Sequence, residues 1–138
     1  MKLMIDTNIV IDVLTNREPF AESSIKVLKL CENQTLQGFI SASSVTDVFY
    51  LLHRHLHNNE LAYQKLGYIL EIVGVLPVTP DDVMDAFLKK ASDFEDCLLT
   101  VCALANNCQG IVTRNQKDFA GFGLDLFSPD EILARFPE

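Results

Sequence analysis

The side chains of this sequence that most call for a chemical explanation are its carboxylates. Between residues 92 and 119 the chain reads SDFEDCLLTVCALANNCQGIVTRNQKDF, and three of the first five residues are acids, Asp93, Glu95 and Asp96. Capping a helix takes one carboxylate, so the surplus points to another use. Asp118 ends the polar run that begins at Arg114, Asp6 ends the apolar run that opens the chain, and Asp47 follows the Ser-Ala-Ser-Ser of residues 41–44. Packed together without cations, such carboxylates repel and some take up a proton. With Mg²⁺ or Mn²⁺ among them they would form a site of hard oxygen donors that binds phosphates and acidifies water. The corresponding chemistry is hydrolysis of a phosphodiester.

Convergence of these acids depends on the elements that carry them. Short apolar runs at 2–5, 38–40, 75–78, 111–113 and 124–127 read as strands, the third peripheral because Pro77 cannot donate to a central ladder. Between them, helical spacing predicts helices over 9–14, 20–33, 44–57, 60–74, 82–90 and 132–136, with one more after the acids at 93–96. Ile25, Leu28 and Leu30 are expected inward on the second helix, and Leu66, Ile69, Leu70 and Val73 on the fourth. The helix after the acids has a capping-box spacing between Ser92 and Glu95, an inward face of Phe94, Leu98, Val101 and Ala105, and a left-handed stop at Gly110. Asp47 falls in a first turn capped by Ser43 or Ser44, and Asp81, Asp82 and Asp85 read as solvated charges at the start of another helix.

Alternating strands and helices of this kind predict an α/β chain, a mostly parallel sheet covered by helices on both sides. The carboxyl ends of its strands then meet at one edge, where open sheets of this class bind ligands. Asp6 and Asp118 follow strands, and Asp47 and Asp96 head helices at that same edge. Asp6 alone fits a plain helix-capping acid equally well. Arg17, Arg114 and Lys117 lie on loops near the edge, where they can meet substrate phosphates.

The remaining features set bounds. The length of 138 residues suits one domain, and a net charge of −8 argues against a broad basic nucleic-acid face while allowing a local acid cluster neutralised by cations. No apolar run reaches the length of a membrane helix, and Asp6 comes too early for a signal peptide, so a soluble, cytoplasmic protein is expected. Four cysteines without C-x-x-C spacing read as buried hydrophobes. His53 and His57 have a zinc-capable spacing but no third ligand, and they suit the last turn of a helix. The sequence has no P-loop, no G-x-G-x-x-G after the first strand and no G-x-S-x-G elbow.

Ile5-Asp6-Thr7-Asn8, an acid in the helix after Ser-Ala-Ser-Ser, Asp93-Phe94-Glu95-Asp96, and Thr113-Arg114-Asn115 followed by Lys117-Asp118-Phe119 together resemble the PIN domain family over nearly the whole chain. The resemblance implies a three-layer α/β/α sandwich and cleavage of single-stranded RNA that depends on Mg²⁺ or Mn²⁺. It also implies kinship with the VapC-type toxins of toxin–antitoxin pairs, hence a homodimer and a small antitoxin partner. Transferred by position, Asp6, Asp47, Asp96 and Asp118 become the metal-binding acids and Asn115, with Thr113, a polar support near the water or phosphate. Asp93 adjoins the cluster, and Glu95 is assigned to capping. The family more often has Glu where this chain has Asp47, and the shorter side chain would ligate through water or orient a ligand.

Two other readings compete. The same fold with a degraded site would act as a protein- or RNA-binding module. Alternatively, every acid is a cap, a reading that explains each carboxylate singly but not their ordered match.

Overall fold

The computed structural model describes residues 1–137. In chain order the elements are β1 (Lys2–Ile5), α1 (Thr7–Leu14), α2 (Ala21–Glu32), β2 (Gln37–Ser41), α3 (Ala42–Leu56), α4 (Asn59–Ile72) and β3 (Gly74–Leu76). They continue with α5 (Pro80–Lys89), α6 (Phe94–Ala105), β4 (Gly110–Val112), α7 (Gln116–Phe119), β5 (Asp125–Phe127) and α8 (Pro129–Arg135). The five strands form one sheet in the order β3-β2-β1-β4-β5, and every pairing is parallel.

Alternation along each strand divides the core into two layers. Leu3 and Ile5 of β1, Ile40 of β2 and Val112 of β4 join a cluster with side chains of α1, α2, α3, α4 and α8. Met4 and Ile111 face the opposite way and meet Leu99, Cys102 and Ala103 of α6 and Phe119 of α7. Helices thus cover both faces of a sheet too apolar to leave either one wet, which is the expected α/β/α sandwich. The chain winds outward from β1 through β2 to β3, then returns to place β4 on the other side of β1. The crevice beyond the ends of β1 and β4 is therefore the topological switch point, where a ligand site belongs.

Several local expectations shift. Strand β3 is an edge strand as expected, but it ends at Leu76, ahead of Pro77. Helix α3 is capped by Ser41, whose side chain accepts from the Ser44 amide, so Asp47 lies in the second turn. Helix α6 starts one residue later than the capping box implies, with Asp93 rather than Ser92 as its cap. Its inward face differs too: Cys97, Thr100, Val101, Cys102 and Ala103 are buried while Phe94 is 47% exposed, because α6 packs against α5 as well as the sheet. Asp82 is buried in a capping box with Thr79 rather than solvated. Leu70 is exposed, and on α2 the core residues are Val27, Leu28 and Cys31, with Ile25 and Leu30 half-buried. All four cysteines are free and buried, as expected, and burial pushes the Cys31 thiol up to about 11.

The left-handed residue after α6 is Asn107, at φ 61°, and Gly110 instead opens β4. Its role is close approach. A Cβ at Gly110 would lie 2.5 Å from the Asp125 carbonyl oxygen and 2.8 Å from the Phe127 ring. The first of these is backbone of the neighbouring strand, which cannot turn aside. Gly110→Ala is expected to destabilise the fold by about 1–3 kcal/mol through overpacking, read from urea unfolding. A wild-type midpoint would contradict the close approach.

Candidate active site

Asp6 extends the β1 ladder by one residue, its amide donating to the Val112 carbonyl at 3.0 Å. It occupies the N-cap position of α1, yet its side chain makes no cap hydrogen bond. One carboxylate oxygen, Oδ2, accepts instead from Thr113 Oγ1 at 2.7 Å, and that same hydroxyl oxygen accepts from the Asn115 amide at 2.9 Å. The plain capping role therefore does not describe Asp6. Only 7% of it is exposed, and burial raises its pKa. Hydrogen bonds from Thr113 and the Thr7 backbone and the charge of Arg114 pull the other way, while Asp118 adds to the rise.

Helix α6 brings the other acids to the same edge. Asp93 accepts from the Asp96 amide at 3.0 Å and so performs the capping expected of Ser92 and Glu95. That shift releases Glu95. Burial raises the Glu95 pKa, followed by the charge and hydrogen bond of Asp47, then by Asp93 and Asp6. Asp96 is pushed up to about 7, first by burial and then by the charges of Asp93, Asp6, Asp118 and Glu95. Asp118 belongs to the single turn α7 rather than to an open loop.

Asp6, Asp96, Asp118 and Asn115 line one cleft of about 320 Å³, with Thr7, Asn8 and Arg17 also in its walls. Asp47 is half-buried and meets this group through Glu95. Glu95 is the carboxylate that sequence reasoning set aside. The sign that could have recovered it is the Asp93-x-x-Asp96 spacing, which serves as a cap just as well as Ser92-x-x-Glu95 does.

Raised carboxyl pKa values have a consequence for stability. Asp96 in the folded chain holds its proton up to about pH 7, against an ordinary aspartate value of 3.8. Between those limits the native state binds more protons than the unfolded one, so stability falls as pH rises through the window. Asp6 and Glu95 shift in the same direction. Asp96 is partly solvated, which screens and reduces the size of the effect. In EDTA the protein is expected to melt at a higher temperature at pH 5 than at pH 7.5. A lower melting temperature at pH 5 would contradict the repulsion.

The three loop cations are not equivalent. Arg114 donates from Nε to Asp12 Oδ2 at 2.7 Å and from Nη2 to Asp12 Oδ1 at 3.1 Å, and its guanidinium lies 3.8 Å over the Phe20 ring. Asp12 is fully buried. Arg114 is thus engaged in holding the strand-to-α7 segment against α1, which conflicts with the expectation that it meets substrate. Asp12 was not anticipated; its sign was a lone acid among the apolar residues of α1. Arg17 and Lys117 are exposed, Arg17 in the cleft wall and Lys117 in an adjoining depression.

The donor set fits a hard divalent cation. Three carboxylates, from the end of β1 and from α6 and α7, share the cleft, and neighbouring acids raise the pKa of Asp6, Glu95 and Asp96, as carboxylates do when their charge calls for a cation. The side-chain oxygens of Thr7 and Asn8 are buried in the same wall with no hydrogen-bond partner. Among the described residues no three His, Cys, Asp or Glu side chains are placed so that they could by themselves hold a metal ion. An open set of this kind suits Mg²⁺, which keeps several waters and takes one or two carboxylates together with substrate phosphate.

No curated protein matches the chain. Among solved structures, VapBC2 from Rickettsia felis, bound to a DNA fragment from its promoter, is 22% identical, with 93% of this chain and 98% of the other covered at a TM-score of 0.70. VapC20 from Mycobacterium tuberculosis, described as a sarcin–ricin loop cleaving toxin, is 16% identical, with coverage of 89% and 96% and a TM-score of 0.69. VapBC-1 from nontypeable Haemophilus influenzae is 21% identical, with coverage of 94% and 99% and a TM-score of 0.68. At these identities the likeness concerns the fold. A sequence model described as PIN domain matches residues 2–117, a span that takes in β1, the acids of α6 and the Thr113–Asn115 segment, and the chain belongs to the PIN domain family.

Proposed function

We propose that this protein is an endoribonuclease that uses Mg²⁺ or Mn²⁺ to hydrolyse phosphodiester bonds of single-stranded RNA, and that it is the toxin of a toxin–antitoxin pair. The observation that carries the reading is the shared cleft of Asp6, Asp96 and Asp118 at the β1/β4 switch point. When bound, the metal ion would acidify a water molecule and neutralise charge on the phosphate. Asp6 and Asp96 would hold the main ion, and Asp118 would complete that ion's set or hold a second. Thr113 fixes one oxygen of Asp6, leaving the other for the ion. Asn115, in the cleft wall, would orient water or phosphate. Arg17 and Lys117 meet substrate phosphates, whereas Arg114 positions the segment that carries Asn115 and Asp118.

Asp47 is the residue on which the competing reading, a non-catalytic binding module, rests. Its neighbour Glu95 feels the charges of both Asp47 and Asp6, and a longer carboxylate beside Asp47 offers the reach that the aspartate lacks. Support for the toxin assignment comes from the structural relatives, which include VapBC pairs and a toxin–antitoxin complex from Klebsiella pneumoniae. The partner would be a small antitoxin protein covering the cleft, and the active species a cytoplasmic homodimer. Among the described residues no helix is long and apolar enough to cross a membrane.

The deciding experiment is cleavage of a mixed single-stranded RNA pool in Mg²⁺, Mn²⁺ or EDTA. Cutting in either metal that stops in EDTA supports the nuclease. A protein silent under both metals that also binds no Mn²⁺ in a parallel titration leaves the binding module as the better reading.

A further inference from the structure

The cleft does not end at the acids. Ile11, Arg17 and Leu51 line it on one side and also line a second cavity, of about 560 Å³, whose other walls are Thr15, Arg54 and His55. Asn115 and Asp118 are shared with a third depression that contains Lys117 and Glu131. The three adjoin through these shared walls as one trench, in which Arg54 is reached past Arg17 and Lys117 past Asp118.

Arg54 and His55 stand in the last turn of α3, where a helix dipole favours positive charge. The dipole accounts for a cation at that position. It does not account for Arg54 sharing a cavity with Arg17, which comes from the loop after α1. Both arginines are exposed, and neither is in an ion pair among the described residues. A chain with 11 Lys and Arg against 19 Asp and Glu has acids to spare for pairing them. Two unpaired guanidiniums along a trench that opens from a phosphodiester-cleaving centre match the spacing problem of a polyanion, whose next phosphates must be held while one is cut.

We propose that the Arg17–Arg54–His55 end of the trench is a subsite for single-stranded RNA flanking the cleavage point. Arg17 and Arg54 take successive backbone phosphates, His55 and Thr15 offer donors to phosphate or ribose hydroxyl, and Ile11 with Leu51, which is 37% exposed, forms an apolar floor for a base. The subsite rests on the ribonuclease reading and extends it by fixing which way the strand leaves the acids. Such contacts grip backbone rather than base edges, so they give affinity without sequence preference.

The test uses the full chain, a fluorescein-labelled single-stranded RNA 12-mer and anisotropy in EDTA, followed by cleavage of the same RNA in Mn²⁺. Arg54→Gln with His55→Gln is expected to weaken binding about five- to tenfold, to lower the salt dependence by about 0.7 for the lost phosphate contact, and to raise KM with kcat unchanged. Arg54→Lys is expected to restore most of the affinity, since a point charge serves a phosphate. Matching melting temperatures establish that each variant is folded. Wild-type affinity and salt dependence in the double variant, with the wild type still cutting RNA, overturn the subsite and leave the nuclease reading intact. The same result with loss of affinity for a protein partner gives the groove to that partner and likewise overturns the subsite. A wild type that neither binds nor cuts RNA removes both.

Discussion

Asp6→Asn is expected to reduce metal-dependent RNA cleavage by at least about a hundredfold, more than the loss that follows removal of a residue supporting a metal ligand. The substitution keeps the size and the hydrogen-bonding oxygen that Thr113 needs, and it removes the charge that a divalent ion needs. Its effect on stability has the opposite sign. Burial already disfavours the Asp6 carboxylate, with Asp118 adding to the penalty, so a neutral side chain relieves a cost at neutral pH. The variant should therefore melt in EDTA at or above the wild-type temperature, while losing most of the stabilisation that Mn²⁺ gives the wild type. Asp96→Asn should behave alike, since its neighbours Asp93, Asp6, Asp118 and Glu95 all raise its pKa. A variant that cuts RNA at the wild-type rate would take Asp6 out of the chemistry. One that is inactive only because it is unfolded would fail the melting control.

Asp12→Ala is expected to have the largest effect on stability, a loss of about 3 kcal/mol. Asp12 is fully buried, Arg114 is 19% exposed, and the two meet through two hydrogen bonds. Removing the acid leaves a largely desolvated guanidinium with the Phe20 ring beside it and no hydrogen-bonded acid. The pair as a whole need not stabilise the fold, because both ions must be dehydrated to form it. Asp12→Leu combined with Arg114→Met should therefore recover much of the loss, which separates a broken pair from a generally sensitive site. Urea unfolding of the three variants reads this out. Asp12→Ala within about 0.5 kcal/mol of wild type would mean that the pair contributes no more than an exposed salt bridge does. Cleavage should fall in the double variant even where stability returns, because Arg114 links α1 to the segment carrying Asn115 and Asp118 and adds a positive field at Asp6.

The strand and helix order was legible because its signals are local. An apolar run of a few residues ended by an acid, and apolar residues three or four apart, each say what the backbone does within a turn or two. Boundaries were less legible where two caps competed. Ser92 and Asp93 both stand three residues before an acid, and the local sequence has no means of choosing between them. The choice fell to Asp93, and with it the fate of Glu95 changed from cap to member of the acid cluster. Gly110 shows a similar limit. A glycine after a helix reads as its stop, but here the missing Cβ makes room for the Asp125 carbonyl of a strand that comes later in the chain.

By itself the sequence determined the class of the fold and put forward Asp6, Asp96 and Asp118 as candidates, because hydrophobic periodicity and the positions of charged side chains are properties of the chain alone. Tertiary structure decided which acids share a cleft, since Asp6 and Asp96 acquire their raised pKa values only when separate elements meet at the β1/β4 edge. It also decided that Arg114 pairs with Asp12 across 102 positions, while Arg17 stays exposed and shares a cavity with Arg54. Contacts of that separation are selected by packing and desolvation over the whole domain, and no local pattern records them.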